Sequence, residues 1–165
     1  MFHKALYGDV DEIMSIINST QLQFKNEGLN QWQSGYPNNK SIEEDLAKNC
    51  GYVLEVAGKI VGYCYCNVED DPYYDSIDGG KWLNEDDYGV VHRFVIDNQQ
   101  RNQGYAGQLL EECFQLLQDQ DIKNIRIDTH PDNKAMLRFI EKHGFQYCGE
   151  VQVSDGMRLA YQKII

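Results

Sequence analysis

The sequence predicts one α/β domain over residues 1–165, with elements in the order β-α-α-β-β-β-α-β-α-β-β. Three observations carry that expectation. GVVHRFVI (89–96) has few polar residues and reads as a central strand. After a glycine-containing loop, Ala106, Leu109, Leu110, Cys113, Phe114 and Leu117 form one apolar stripe at helical spacing. NIRIDTH (124–130) then alternates, with Ile125 and Ile127 on one face and Arg126, Asp128 and His130 on the other. A length of 165 residues, 42% of them hydrophobic and 25% charged, suits one domain with a real core.

The remaining elements follow in chain order. Asp9 and Glu12 have the spacing of an acidic capping box, and Val10, Ile13, Met14 and Ile17 continue it as a helix. NQWQSGYPNNKS (30–41) is a turn-rich loop that carries Trp32 and Tyr36. SIEEDLAKN (41–49) predicts a short helix capped by Ser41. Residues 51–68 form two β-rich runs around Ala57-Gly58, a hairpin pattern, with Cys64 and Cys66 sharing one face. Pro131-Asp132 opens a helix whose apolar side is Met136, Phe139 and Ile140, and Gly144 ends it. Residues 145–165 predict a final strand pair turning at Asp155-Gly156. The chain has no internal repeat, low-complexity tract or linker.

Composition excludes several function classes. No apolar run approaches the ~18 residues a membrane span needs, and the N-terminus lacks the pattern of a signal peptide. Five cysteines without a CxxC pair point to reduced thiols, hence a cytoplasmic protein without a zinc site. A net charge of −11 disfavours nucleic acid, which needs a basic face. Eight of the nineteen residues at 69–87 are Asp or Glu. That stretch reads either as a solvated surface loop or as a negative rim that attracts a cationic substrate such as an amine.

The chemistry concentrates in RNQGYAG (101–107), between the apolar strand and the striped helix. Backbone N–H groups converge at a helix start, and the helix dipole there favours an anion. Gly104 would let the backbone approach a phosphate, and Arg101 adds a mobile positive group. Neither a P-loop nor the GxGxxG dinucleotide fingerprint is present.

With FVIDNQQRNQGYAGQLLEECF and, farther on, IRIDTHPDNKAMLRFIEKHGFQYCG, the chain resembles the GNAT family of N-acetyltransferases. The R-x-x-G-x-A core (Arg101, Gly104, Ala106) and the Asn133…Gly144-Phe145 spacing carry the resemblance. It implies a twisted, mostly antiparallel sheet of about seven strands, with helices on both faces. It also implies a V-shaped splay between two central parallel strands, 89–96 and 124–130. Acetyl-CoA would be the cosubstrate, with no metal. Backbone groups of Phe94, Val95 and Ile96 would pair with its pantetheine arm. The N–H groups of Asn102, Gln103, Gly104, Tyr105, Ala106 and Gly107 would hold the pyrophosphate, with Arg101 nearby. Asn133 matches an asparagine that contacts the pantetheine or phosphate region.

Acetyl transfer needs a neutral amine, and an alkylammonium has a pKa of about 10.4, so a base or a water chain must take its proton. Asp128 matches a position where the family can carry a glutamate; its alternative role is an ion pair with Arg126 or a loop cap. His92 on the central strand is the second candidate, against the reading of a hydrogen-bonded core histidine. His130 is a third, against a structural role in THPDN. A backbone N–H near Val95–Ile96 would hold the oxyanion. Ile140 stands where many members place the tyrosine that serves as general acid for the thiolate. Trp32 and Tyr36 sit in the loop that walls the family's acceptor site, where they would select a flat or apolar acceptor.

The expected activity is acetyl transfer to a primary amine, of a small molecule first, by direct attack in a ternary complex. The alternatives are acetylation of a protein amine, a non-catalytic acyl-CoA-binding module that lost its acid, and an unrelated phosphate-binding protein. Nothing in the sequence sets an oligomeric state; a homodimer is compatible with it.

Overall fold

A computed structural model describes residues 1–165. The strands are β1 (Phe2–Lys4), β2 (Gly51–Val56), β3 (Lys59–Val68), β4 (Gly89–Ile96), β5 (Asn124–Thr129), β6 (Gln146–Val153) and β7 (Gly156–Ile164). The helices are α1 (Val10–Asn26), α2 (Asn39–Ala47), α3 (Tyr105–Gln118) and α4 (Lys134–Lys142). All seven strands belong to one sheet in the order β1-β2-β3-β4-β5-β7-β6. The pairs β1–β2, β2–β3, β5–β7 and β6–β7 are antiparallel, and β4–β5 is parallel. The parallel register consists of Gly89↔Ile125 and Val90↔Arg126, at the start of both strands. β4 runs on to Ile96 beyond that register, and at Arg93 its backbone turns to φ +50°. This mixed, mostly antiparallel sheet is the predicted fold class.

Contacts divide the chain into two compact units, residues 1–66 with 92–113, and residues 67–91 with 114–165. In the first, α1 buries Ile13, Met14, Ile16 and Ile17 on a core shared with Ile42, Leu46, Val53, Ile60, Tyr63 and Val95. Each such aliphatic side chain contributes roughly 1.5–3 kcal/mol. Cys64 packs its sulfur 3.5 Å from that of Cys113. Tyr63 and Tyr65 point to the opposite face, because side chains alternate along a strand.

In the second unit β5, β6 and β7 form an antiparallel set, and Gln162 crosses it to bond Asn124 and Asn84. The acidic stretch is pinned there. Asp78 exchanges backbone hydrogen bonds of 2.9 and 2.8 Å with Glu150 of β6, and Gly80 lies so close that a Cβ would sit 1.9 Å from the Cys148 carbonyl oxygen. Tyr74, Trp82 and Tyr88 are buried, while Asp70, Asp75, Asp78, Glu85, Asp86 and Asp87 face solvent. The solvated reading therefore describes six of the eight acidic residues, while buried Asp71 and the aromatic residues anchor the segment.

Three local expectations are corrected. Asp9 and Glu12 do not form a capping box: Asp9 accepts the Leu6 N–H in a preceding 3-10 turn, and Glu12 accepts the Ile60 N–H at 2.9 Å. The cap of α2 is Asn38, not Ser41; Asn38 Oδ1 accepts the Ser41 N–H at 3.1 Å, and Ser41 Oγ accepts the Asn38 N–H at 2.7 Å. Ser41 is thus the third helical residue of a reciprocal box. The last hairpin turns at Ser154-Asp155, and Gly156 already belongs to β7.

Candidate active site

The glycine loop and the start of α3 lie in the first unit. Asp97 ends β4 by accepting the Gln99 N–H at 3.0 Å and holding Lys59 Nζ at 3.1 Å, while its own N–H donates to the Val61 carbonyl. The chain passes through a 3-10 turn at Asn98–Gln100 and then two left-handed residues, Asn102 (φ 61°) and Gly104 (φ 84°). Arg101, Asn102, Gln103 and Gly104 are exposed, and Tyr105, Ala106 and Gly107 half-exposed. Helical bonding begins with the Gln108 N–H to the Gly104 carbonyl at 3.0 Å. The N–H groups of the first turn have no partner within a helix, by the geometry of any helix start. A Cβ at Gly104 would meet no atom within 4 Å, so the space over the loop is open. An oxyanion-bearing group fits that combination of left-handed glycine, open approach and 14-residue helix.

A second constellation in the first unit was not expected from the sequence. Arg93 sets two nitrogens on the Asp45 carboxylate, each at 2.6 Å, and a third on the Tyr36 hydroxyl. Tyr63 donates its hydroxyl to Asp45 Oδ2 at 2.6 Å. Burial pushes the Asp45 carboxyl up, against the pull of the Arg93 guanidinium. The Arg93 guanidinium also lies 4.8 Å from the Tyr65 ring centre, and His92 stacks on the same ring at 6.0 Å. Tyr36 is thereby held at the surface by Arg93. Trp32 is half-buried and packs on Phe24 and the core.

The second unit places Asp128 and Asn133. Tyr74 donates its hydroxyl to Asp128 Oδ2 at 2.7 Å. Burial and then the Asp128 charge push that phenol well above its ordinary pKa, so it stays a neutral donor. Arg126 does not pair with Asp128. Its guanidinium lies over Trp82 and Tyr88, 4.2 and 3.8 Å from the ring centres, and donates to the Asn84 carbonyl at 3.0 Å. His130 accepts the Asp132 N–H on Nδ1 at 3.1 Å, the structural role in THPDN. Burial, reinforced by the Arg158 charge, lowers its pKa. Asn133 is buried and caps α4 by accepting the Met136 N–H at 3.1 Å. Ile140 is 1% exposed in the core, which leaves no polar group at that helix position.

The sequence carried faint signals for the missed residues. YCYC in β3 alternates two tyrosines against two thiols, so Tyr63 and Tyr65 had to share a face. Asp71-Pro72 is a turn signal directly before Tyr74. Neither pattern names the partner carboxylate, which lies 18 residues away for Tyr63 and 54 for Tyr74.

No helix is long and apolar enough to cross a membrane. No curated protein matches the sequence. Among solved structures, a GNAT-family acetyltransferase from Streptococcus agalactiae is similar at 33% identity and a TM-score of 0.91, covering 100% of this chain and 95% of its own. The PaiA N-acetyltransferase from Thermoplasma acidophilum, solved with coenzyme A, shares the fold at 12% identity and a TM-score of 0.74, covering 100% and 98%. A ribosomal-protein-alanine N-acetyltransferase from Brucella melitensis shares it at 17% identity and a TM-score of 0.70, covering 100% and 99%. The profile of the Acetyltransferase (GNAT) family matches residues 13–145, more than half of the chain, and the chain therefore belongs to that family.

Proposed function

We propose that residues 1–165 act as one acetyltransferase domain, a cytoplasmic enzyme that moves the acetyl group of acetyl-CoA to a primary amine of a small molecule. The observation that carries this reading is the open, glycine-containing start of α3 directly after β4. The N–H groups of residues 102–107 would hold the pyrophosphate, with Arg101 as a mobile counter-charge. Backbone groups of Phe94, Val95 and Ile96 would align the pantetheine arm, and Asn133 would contact the same molecule while capping α4. Acetyl-CoA supplies an activated acyl thioester. Asp128 would take one proton from the substrate ammonium, breaking N–H and forming O–H. The freed amine pair attacks the thioester carbon to give a tetrahedral adduct, and the C–S bond breaks. The second N–H proton passes through solvent to the departing thiolate to leave a neutral amide and a thiol, and Asp128 returns its proton to solvent. His92 is the alternative base. Tyr36 would line the acceptor side, and six exposed acidic residues of the 69–87 stretch support a cationic acceptor over a neutral one.

Titration calorimetry with acetyl-CoA tests the reading. The native chain should bind it, and Gly104→Trp, at a position open to solvent, should lose the binding heat while still melting cooperatively. No heat from the native chain would sink the proposal. The buried Ile140 supports a second reading, a module that binds acyl-CoA without turnover. Thiol release over a panel of amines decides between the two, since a binding module releases none.

A further inference from the structure

We infer that Arg93 is a positioning residue that fixes the Tyr36 ring at the acyl end of the cosubstrate, where the ring selects a primary amine bearing a flat apolar group; this rests on the proposed acetyl transfer to an amine. Arg93 sits in β4 with φ +50°, a left-handed conformation that a long side chain keeps only where its surroundings over-determine it. Its own side-chain bonds supply that constraint. Nε and Nη2 reach different oxygens of Asp45, each at 2.6 Å, and Nη1 donates to the Tyr36 hydroxyl. The left-handed residue also breaks the two-residue alternation of the strand. The consecutive side chains of His92 and Arg93 therefore both lie against the Tyr65 ring, at 6.0 and 4.8 Å. One guanidinium thus ties β4 to the last turn of α2 through Asp45, and to the loop before α2 through Tyr36.

The backbone on either side of Tyr36 is held as well. The Gly35 carbonyl accepts from Asn38 Nδ2 at 2.8 Å, and the Pro37 carbonyl accepts from Gln21 Nε2 at 3.0 Å. With the backbone anchored, the Arg93 bond holds the ring in one orientation, while 37% of Tyr36 stays exposed. The place of the ring along the cosubstrate follows from chain direction. A pyrophosphate on residues 102–107 would lie beyond the end of β4, so the arm would run back along Ile96, Val95 and Phe94. Its acyl end then comes nearest to Arg93, directly before Phe94, and to the ring that Arg93 holds. An aromatic ring fixed before binding stacks on a flat partner without first having to be ordered. An arylalkyl amine and a plain alkyl amine carry the same ammonium, so charge does not tell them apart, and the ring does.

Two probe amines test the inference, 2-phenylethylamine and n-butylamine, each with saturating acetyl-CoA. In the native chain kcat/KM for 2-phenylethylamine should exceed that for n-butylamine by at least about tenfold. Tyr36→Leu should bring the ratio to about threefold or less, with the Kd for acetyl-CoA within about twofold of native. Tyr36→Phe keeps the ring and removes the hydroxyl that Arg93 holds. It should raise KM for 2-phenylethylamine by about threefold to tenfold, with kcat within about twofold. Arg93→Lys keeps a cation for Asp45 but cannot bond it at two points and reach Tyr36 at once, so KM should rise alike. The two changes together should cost no more than either alone. If Arg93→Lys does not fold, the KM of Tyr36→Phe decides, and no rise overturns the inference. A native ratio near one, turnover of other amines but of neither probe, or additive losses in the double variant also overturn it, and leave acetyl transfer standing. No thiol release with any amine instead removes the proposed transfer and this inference with it, while acetyl-CoA binding is read separately by calorimetry.

Discussion

Each of the two units contains a carboxylate that accepts a tyrosine hydroxyl, and each has an arginine close by in sequence or in space. In the first unit the arginine is on the carboxylate: Arg93 grips Asp45 with two bonds of 2.6 Å while Tyr63 adds a third. In the second the arginine is on the aromatic rings, and Asp128 accepts from Tyr74. Asp45 is 4% exposed, whereas Asp128 is half-buried. A carboxylate matched by a bidentate guanidinium is a lock, because its charge is neutralised and its lone pairs are committed. Asp128, half-exposed and accepting from a phenol, keeps contact with solvent. Position of the arginine, more than the acid itself, separates a structural carboxylate from a candidate base.

The largest effect should come from breaking the lock. Arg93→Met leaves Asp45 buried without its cation and should cost about 3–5 kcal/mol of stability, read by chemical denaturation. If that loss is below about 1 kcal/mol, the two carboxylates are not as different as their partners suggest.

Arg126→Met sharpens the other side of the comparison. It removes a cation stacked on two rings, so about 1–2 kcal/mol of stability should go. Because Arg126 is not paired with Asp128, the pH dependence of turnover should stay as in the native chain. A displaced pH profile would mean that the arginine acts on the carboxylate after all.

The smallest effect concerns His130, which serves the second unit without titrating usefully near neutrality. Its folded pKa lies below the ordinary histidine value, through burial and then Arg158. A depressed pKa contributes stability above the unfolded value of about 6.5, and that contribution is lost as pH falls through the folded pKa. The melting temperature should therefore drop on acidification from neutral pH, and His130→Asn should drop less. An equal drop would remove His130 from the pH response.

Much of the architecture was legible in the chain. The stripe from Ala106 to Leu117 and the run 89–96 gave α3 and β4 almost to the residue, since periodicity reports burial directly. Caps were less legible. Asn38 and Ser41 both suit a helix start, and only the reciprocal bonds show which one is the cap. The acidic stretch was the least readable, because its exposed charges outnumber the three aromatic side chains that anchor it.

The sequence by itself determined the element order, the central strand followed by a glycine loop and helix, and the place of Gly104 in that loop. Those follow from local rules: a side-chain period of two or 3.6, a left-handed glycine, and a free helix start. Only the tertiary structure decided which partner each charged side chain takes. Arg93 reaches back 48 residues to Asp45, and Tyr74 forward 54 to Asp128. Such pairings depend on strand register and on which neighbours exclude water, and no short window of sequence holds that information.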